Sequence, residues 1–308
     1  MPSNYDKGDI EMIVKSTKEY DAFGQWIFEI NDEYTMPPLF VKYYQEKETP
    51  LMLIKIPRKI DRRDATPDMN LYDYVIGAFE SYLYILKRVE DSVEERRISY
   101  DSVVAIKNTA ALLRGQVHLF LKGETIIIDY NTASEDKIFK LINIVRARYT
   151  AEETKLSISS IDDNINKVEH RYLVLIDQFK ANNESIRLVA YQPPLRLIPR
   201  YDRFYQKVFT FLLRRKVLAS TAFITNDLEL IVLEKEQRIR FYNWADLSCS
   251  CLYLPYQYIS DVKKEGGIGS GQLSQINISV NNQQFSFLYG ENNVQIGELL
   301  EELKKIGS

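Results

Sequence analysis

The sequence contains very little cysteine and histidine. Its 308 residues include only two of each, and the two cysteines are Cys249 and Cys251. Cysteines one residue apart cannot supply a disulfide framework, so we expect both to be reduced and to pack as small apolar side chains. A zinc site needs further ligands, and none lies nearby in the sequence. We therefore predict no bound metal and no cofactor.

Catalytic motifs are also lacking. The sequence has neither a G-x-S-x-G elbow nor an H-E-x-x-H helix. The run Gly266–Gly271 is rich in glycine, but Gln272 and Leu273 follow it where a phosphate-binding loop has Lys and Ser or Thr. We interpret this run as a hairpin loop and predict a protein that is not an enzyme. The least favoured alternative is an enzyme whose carboxylates meet in a cleft between two domains.

Long apolar runs and a strong net charge are missing as well. The most apolar stretch, 208–224, is interrupted by Arg214, Arg215 and Lys216, and the first residues do not have the pattern of a signal peptide. We therefore expect a cytoplasmic protein. The net charge is only −3, which does not favour nucleic acid as a partner.

What the sequence does contain is an internal repeat. Two stretches about 150 residues apart carry the same order of features: a strand that begins at a tyrosine, a Gly-Gln pair, a strand ending in Ile-x-Tyr or Phe-x-Tyr, and an amphipathic helix. The matching segments are 100–107 and 256–263, 115–116 and 271–272, and 126–131 and 285–290. The helix faces are Ile138, Leu141, Ile142 and Val145 in the first copy, and Ile296, Leu299, Leu300 and Leu303 in the second.

The repeat predicts two domains of similar build. The segments around these helices are short, rich in β-branched and aromatic residues, and separated by polar turns, which is typical of antiparallel strands. The predicted strands are 51–56, 82–89, 96–106, 115–121 and 125–130 in the first copy, and 186–191, 217–224, 228–233, 247–262, 273–280 and 284–289 in the second. Residues 151–161 lose this pattern and are rich in Ser and Thr. We therefore predict an α+β fold, mainly antiparallel β, with domains at 1–150 and 162–308 joined by a linker at 151–161, each closed by its C-terminal helix.

Basic residues cluster at one place in each predicted domain. In the second, segment 187–216 combines arginines and lysines with aromatic residues, and such patches suit phosphate groups or anionic surfaces. A weaker cluster follows the corresponding strand of the first domain. The alternative is an ordinary solvated or ion-paired strand edge. The candidate ligand-binding residues are Lys55, Arg58, Lys59, Arg62, Arg63, Arg196, Arg200, Arg203, Arg214 and Arg215.

The repeated pattern of strands ending in Ile-x-Tyr or Phe-x-Tyr before one amphipathic helix resembles the bacterial pleckstrin-homology-like domains, here in tandem. The resemblance implies two roughly orthogonal antiparallel sheets in each domain, closed at one corner by the helix. It also implies a binding role, because the eukaryotic relatives of that family bind phosphoinositides through basic residues in the loop between their first two strands. No residue-by-residue match to that loop is present in this sequence.

These observations favour a non-enzymatic binding or scaffold protein that recognises a protein or peptide partner, for example by pairing with an exposed strand edge. The alternative is peripheral binding to anionic phospholipid headgroups through segment 187–216. The sequence leaves the oligomeric state open.

Overall fold

A computed structural model describes residues 19–31, 34–150, 158, 168–182, 185–197, 216–241, 246–268 and 272–306. The fold is α+β and mostly antiparallel β, as predicted. The chain forms two compact units: unit 1 comprises Met1–Ser102, Leu113–Gly115 and Asp129–Arg148, and unit 2 comprises Val103–Leu112, Gln116–Ile128 and Tyr149–Ser308. Within the described ranges, no helix combines the length and the apolar character needed to cross a bilayer.

Unit 1 is built on a five-stranded antiparallel sheet. Its strands are neighbours in sequence order, β1 to β5, so the sheet is a simple meander. The strands are β1 (Phe28–Glu29), β2 (Met52–Pro57), β3 (Tyr72–Ala78), β4 (Tyr82–Val89) and β5 (Ser92–Ser99), and a short helix α1 (Pro38–Val41) lies between β1 and β2. Strand β3 was not predicted from the sequence, although its residues are mostly apolar and buried.

Aromatic residues dominate the core of unit 1. Phe79 and Tyr82 stack with ring centroids 4.7 Å apart, and Phe23 meets Tyr72 edge-on. The helix α2 (Glu135–Tyr149) buries the four apolar residues predicted to form its inner face. Asn131 precedes this helix and accepts a hydrogen bond from the backbone N–H of Ala133. Burial of large aromatic side chains therefore supplies much of the hydrophobic stabilisation of this unit.

A buried ion pair lies against this aromatic core. The Lys55 ammonium donates to Glu19 Oε1 at 2.5 Å and to the backbone oxygen of Thr35 at 2.8 Å, and it lies 4.5 Å from the ring centroid of Tyr72. Burial raises the pKa of Glu19 and lowers the pKa of Lys55, while the charge and hydrogen bond of each partner oppose the shift of the other. Each charge is therefore tolerated only because the other is present.

Removing one member of this pair should destabilise unit 1 much more than removing both. We expect Lys55→Met alone to lower the free energy of unfolding by about 3–5 kcal/mol, because it leaves a buried carboxylate without its partner. Lys55→Met combined with Glu19→Leu should recover most of that loss. Urea denaturation of both variants measures the difference, and equal losses would contradict an energetically coupled pair.

Unit 2 contains most of a seven-stranded antiparallel sheet with the order β8-β7-β6-β15-β13-β12-β9. Two further sheets have three strands each, in the orders β10-β11-β14 and β16-β17-β18. The strands that follow β5 along the chain are β6 (Val103–Ala111), β7 (Arg114–Leu121), β8 (Thr125–Asn131), β9 (Arg187–Gln192), β10 (Leu195–Leu197), β11 (Lys216–Leu218), β12 (Thr221–Thr225), β13 (Glu229–Glu234), β14 (Ile239–Phe241), β15 (Cys249–Pro255), β16 (Ile259–Ile268), β17 (Leu273–Val280) and β18 (Gln283–Gly290). The helices are α3 (His170–Ala181) and α4 (Val294–Lys304).

The two copies of the repeat have the same order of elements. In each, a one-turn 3₁₀ helix leads into three consecutive strands and an α-helix: β6, β7, β8 and α2, then β16, β17, β18 and α4. The long strands predicted at 96–106 and 247–262 are wrong in one detail, because these 3₁₀ turns, Tyr100–Ser102 and Tyr256–Tyr258, divide each of them. Both tyrosines are buried, and their hydroxyls bond to Phe79 O and Thr225 Oγ1, which anchors the turns.

The predicted domain boundary differs from the division into compact units. Strand β6 belongs to the first copy but pairs with β15, with Tyr253 opposite Ile106 and Cys249 opposite Ala110. Of the predicted linker 151–161 only Ile158 lies within the described residues, and it is buried. The boundary at 151–161 therefore stays a prediction, while the contacts place β6 in unit 2.

The helix α4 is part of the core of unit 2. Its four apolar residues predicted to face inward are all buried, and Leu299 is only 1% exposed. Leu299→Ala should therefore lower the free energy of unfolding by about 2–5 kcal/mol. Glu301 lies on the exposed side of the same helix, and Glu301→Ala should change stability by less than about 0.5 kcal/mol. Thermal melts of both variants measure the two changes in stability. A loss for Leu299→Ala as small as that for Glu301→Ala would show that α4 is not a core element.

Candidate functional site

The predicted basic residues of the first copy lie in and after β2. Lys55 is only 2% exposed and is engaged with Glu19, so an external ligand does not reach its ammonium. The other four follow in the connection between β2 and β3, where Arg58, half-buried, donates to the backbone oxygen of Asn70. Lys59 is exposed there.

Two more of these arginines have partners within the protein, Arg62 near the start of the described chain and Arg63 inside the same connection. The Arg62 guanidinium lies 3.8 Å from the ring centroid of Tyr20, and Arg63 pairs with Asp61 at 2.9 Å, both exposed to solvent. Such contacts are the ones expected of an ordinary charged surface. The structure therefore brings these residues together in one connection but gives most of them partners within the protein.

The basic segment of the second copy is mostly outside the described residues. Arg196 is exposed on β10. Arg200, Arg203, Arg214 and Arg215 lie outside the described residues, as does most of the segment 187–216 to which they belong. The anionic-membrane alternative that depends on this segment therefore stays a prediction.

Unit 2 has an open surface groove of about 690 Å³ beside helix α4. It was not predicted. Its charged lining residues are four carboxylates and a single cation, so the groove is strongly acidic. The lining residues are Lys264, Tyr289, Glu291, Asn292, Asn293, Val294, Gly297, Glu298, Glu301 and Glu302.

Hydrogen bonds to strand β9 fix the end of the groove where α4 begins. Asn293 caps the helix, because its side-chain oxygen accepts from the N–H of Ile296 at 3.2 Å. Its Nδ2 donates to the backbone oxygen of Tyr191 at 2.9 Å. The side chain of Gln192 accepts from both Asn293 Nδ2 and the N–H of Gly290. The first turn of α4 is therefore held in place by partly buried hydrogen bonds.

The charges at this end of the groove are organised around Glu291. One oxygen of its carboxylate accepts from the Ser274 hydroxyl, and the other lies 3.4 Å from the Lys264 ammonium. The hydrogen bond from Ser274 is the main reason that the pKa of Glu291 is lowered. The neighbouring Tyr289 contributes most to raising the pKa of Lys264. Both groups therefore stay charged over a wider range of pH than usual, and Lys264 compensates only one of the four carboxylates.

The outer face of α4 supplies the other carboxylates. Val294, Gly297, Glu298 and Glu301 are spaced three or four residues apart, so they share one side of the helix. Glu301 and Glu302 each pair with a lysine of the last turn, whereas no such pair involves Glu298 among the described residues. A Cβ at Gly297 would meet nothing within 4 Å. This glycine is therefore not required by packing, and it leaves the helix backbone accessible from the groove.

The equivalent face of α2 in the first copy is different. Aligning Leu141 with Leu299, as the repeat does, places Lys140 at the position of Glu298 and Phe139 at the position of Gly297. The Lys140 ammonium bonds to Glu29 at 3.1 Å, so the first copy uses this position for an internal ion pair. The acidic face with a glycine is thus a property of the second copy and not a requirement of the fold. Comparing the outer faces of the two predicted helices is the sequence signal that could have located the groove.

The two cysteines lie within a strand. Cys249 and Cys251 are both buried in β15 and are not joined by a disulfide. Within the ranges that the structure describes, no group of three or more His, Cys, Asp or Glu side chains has an arrangement suited to a metal ion. The groove therefore offers charge and hydrogen bonding to a ligand.

Comparison of the sequence with protein-family models and with curated proteins found no match.

A substitution at Gly297 tests whether this glycine is needed for the fold. We expect Gly297→Ala to raise the free energy of unfolding by about 0.5–1 kcal/mol, because alanine restricts the unfolded chain and favours a helix. Gly115→Ala should do the opposite, because an added Cβ there would overlap the Tyr130 ring. Thermal melts measure both. A destabilised Gly297→Ala variant would show that Gly297 serves the fold.

Proposed function

We propose that this chain is a non-enzymatic binding protein made of two pleckstrin-homology-like copies, and that the second copy recognises a basic peptide segment of a protein partner in the groove beside α4. The observation that carries the proposal is the charge of the groove lining, four carboxylates against one lysine, together with Glu298, for which the described residues show no ion pair.

The order of strands supports the family part of the proposal. In the first copy β2 to β5 form an antiparallel meander, followed by β6 to β8 and a helix. In the second copy β9, β12, β13 and β15 are neighbours in one sheet, followed by β16 to β18 and a helix. Two successive groups of antiparallel strands followed by a helix, present in both copies, support the two sheets and closing helix that the sequence resemblance implies. Because one fold carries many functions, the proposed function depends on the groove and its surroundings and not on the fold.

The shape of the groove favours a peptide over a small molecule. A ligand pocket usually encloses most of its ligand, whereas this groove is open to solvent along its length. An extended segment with lysine or arginine side chains can place one cation against Glu298 and others against Glu301 and Glu302, in competition with the solvent-exposed pairs that these two make with Lys304 and Lys305. Charge-assisted hydrogen bonds of this kind are stronger than neutral ones and favour Arg as the partner.

Strand edges beside the groove offer a second means of attachment. Lys264 lies on β16 and Tyr289 on β18, and these are the two outer strands of their three-stranded sheet. A partner segment that pairs with an outer strand gains main-chain hydrogen bonds while its side chains reach the groove. Attachment along β16 or β18 would therefore combine backbone affinity with recognition of positive charge.

A charge-reversal experiment tests this function. We expect Glu298→Lys combined with Glu301→Lys to weaken binding of arginine-rich peptides by at least about tenfold, since it replaces two attractions by repulsions. Fluorescence polarisation with a labelled panel of basic, neutral and acidic peptides measures the change. The wild-type protein should prefer the basic members, and its affinity should fall as salt is added.

Asp177→Lys is the matched control, because Asp177 is an exposed carboxylate of the same unit on another helix, α3. This change should leave the affinity for basic peptides within about twofold of wild type. Equal binding of acidic and basic peptides by the wild-type protein would overturn the proposal. So would equal losses in the control and the double variant.

A further inference from the structure

The longest uncharged stretch of the sequence includes the hairpin β17–β18. Residues 266–290 contain no Asp, Glu, Lys, Arg or His, although charged residues make up 27% of the whole chain. The corresponding segment of the first copy, 115–131, contains His118, Lys122, Glu124 and Asp129. The absence of charge is therefore a property of the second copy and not a requirement of the fold.

Strand β18 lies at the edge of its sheet. Exposed strand edges can pair with further strands, and proteins usually protect them with charged residues, proline or an irregular register. The opposite edge strand, β16, carries Lys263 and Lys264 and has two register shifts. Strand β18 instead pairs with β17 over eight consecutive residues without a shift.

Among the strands that the structure describes, β18 is the only outer strand without a charged residue. Each of the other outer strands contains at least one, as β16 does. These residues are Glu29 in β1, Glu94, Glu95, Arg96 and Arg97 in β5, Asp129 in β8, Arg187 in β9, Arg196 in β10 and Arg240 in β14.

Two hydrogen bonds at the end of β18 show which of its main-chain groups face outward. The N–H of Glu291 donates to the backbone oxygen of Gln272, toward β17. The N–H of Gly290 donates to the side chain of Gln192, away from β17. Because this direction alternates along a strand, every second residue before Gly290 also faces outward.

The outward residues of β18 are Gln284, Ser286 and Leu288. Within the part of the chain that the structure describes, no main-chain partner reaches the outward N–H and C=O groups of these three. Unpaired donors and acceptors in regular alternation are a template for another strand.

Side-chain contacts fix the position of β18. Phe285 meets Phe120 edge-on with ring centroids 5.0 Å apart, and Phe287 meets Phe223 in the same way at 5.6 Å. The Ser286 hydroxyl donates to Asn277 Oδ1 of β17 at 2.7 Å. The edge is therefore ordered before any partner arrives, which lowers the entropic cost of pairing.

We propose that β18 pairs antiparallel with β18 of a second copy of this chain, about a twofold axis that places Ser286 opposite Ser286 of the partner subunit. Gln284 then lies opposite Leu288 of the partner subunit. In this register all three outward residues exchange main-chain hydrogen bonds, and the two three-stranded sheets become one continuous sheet.

The absence of charge favours a second copy as the occupant of this edge. A twofold axis brings identical strands together, so a charged strand would meet its own charges, which destabilises cross-strand pairs. Strand β18 avoids this repulsion. A basic segment, by contrast, gains no electrostatic attraction from an uncharged strand.

The pairing is independent of the acidic groove. None of the three outward residues lines that groove, and β16 stays available to a partner there. One strand edge buries less than the roughly 800 Å² per partner of a standard interface, so the dimer is reversible and depends on protein concentration.

Sedimentation of the full chain over a series of concentrations tests the proposal. The wild type should pass from monomer to dimer without larger species, because pairing uses the same edge of both copies. Ser286→Lys should raise the dimer dissociation constant by at least about tenfold, since it sets two ammonium groups against each other.

Two variants serve as matched controls. Ser279→Lys places the same charge on the same face of the sheet, but on the middle strand β17, and should leave the dissociation constant within about twofold of wild type. Ser286→Ala removes the bond to Asn277 and adds no charge, so it should dimerise like the wild type. Thermal melts of dilute samples show whether each variant is folded.

Hydrogen exchange of the wild type locates the interface without any substitution. The amide hydrogens of Gln284, Ser286 and Leu288 should exchange more slowly in concentrated than in dilute protein, whereas those of β16 should not change. This measurement decides the matter by itself should Ser286→Lys fail to fold. A monomer at every concentration, a folded Ser286→Lys variant that dimerises as tightly as the wild type, or protection confined to other strands would overturn the proposal.

Discussion

The antiparallel pairing of β6 with β15 is the contact on which the organisation of unit 2 depends. Five residue pairs join the two strands, from Cys249 opposite Ala110 to Tyr253 opposite Ile106. This pairing makes one seven-stranded sheet from a three-stranded part of the first copy and a four-stranded part of the second. Strands in the middle of a sheet are bonded on both sides and usually buried, which explains why small side chains such as Cys249, Ser250 and Cys251 are buried there.

The two copies agree in their cores and differ at their surfaces. The inward residues of α2 and α4 are apolar and buried in both copies, because each helix must cover its strands. The outward positions are under no such constraint, and there the copies diverge from Lys140 to Glu298 and from Phe139 to Gly297. A surface feature that one copy has and the other lacks is a better indication of function than a feature common to both, because the fold does not require it.

The number of charged residues in a sequence does not show how many of them can contact a ligand, because some are buried or paired within the protein. The ammonium of Lys55 is buried against Glu19, and Arg63 is paired with Asp61. The acidic groove shows the reverse case. In the sequence, Glu298 and Glu301 look like the ordinary polar face of an amphipathic helix. In the structure they line one groove together with Glu291, which directly follows β18 and lies just before the helix cap at Asn293.

The sequence by itself determined the local structure of this protein. Apolar periodicity identified the inward faces of α2 and α4, and the β-branched and aromatic residues of segments such as 82–89 and 273–280 predicted strands with the observed bounds. The sequence did not predict β3. It also predicted continuous strands across the turns at Tyr100 and Tyr256, because a buried tyrosine can occupy a strand as well as a turn. Only the tertiary structure decided that β6 pairs with β15 and that four carboxylates line one groove. The pairing depends on contacts between residues far apart in the chain, and the groove depends on where the turn between β18 and α4 places Glu291 against the helix. Hydrophobic periodicity records which side of an element is buried but not which partner buries it.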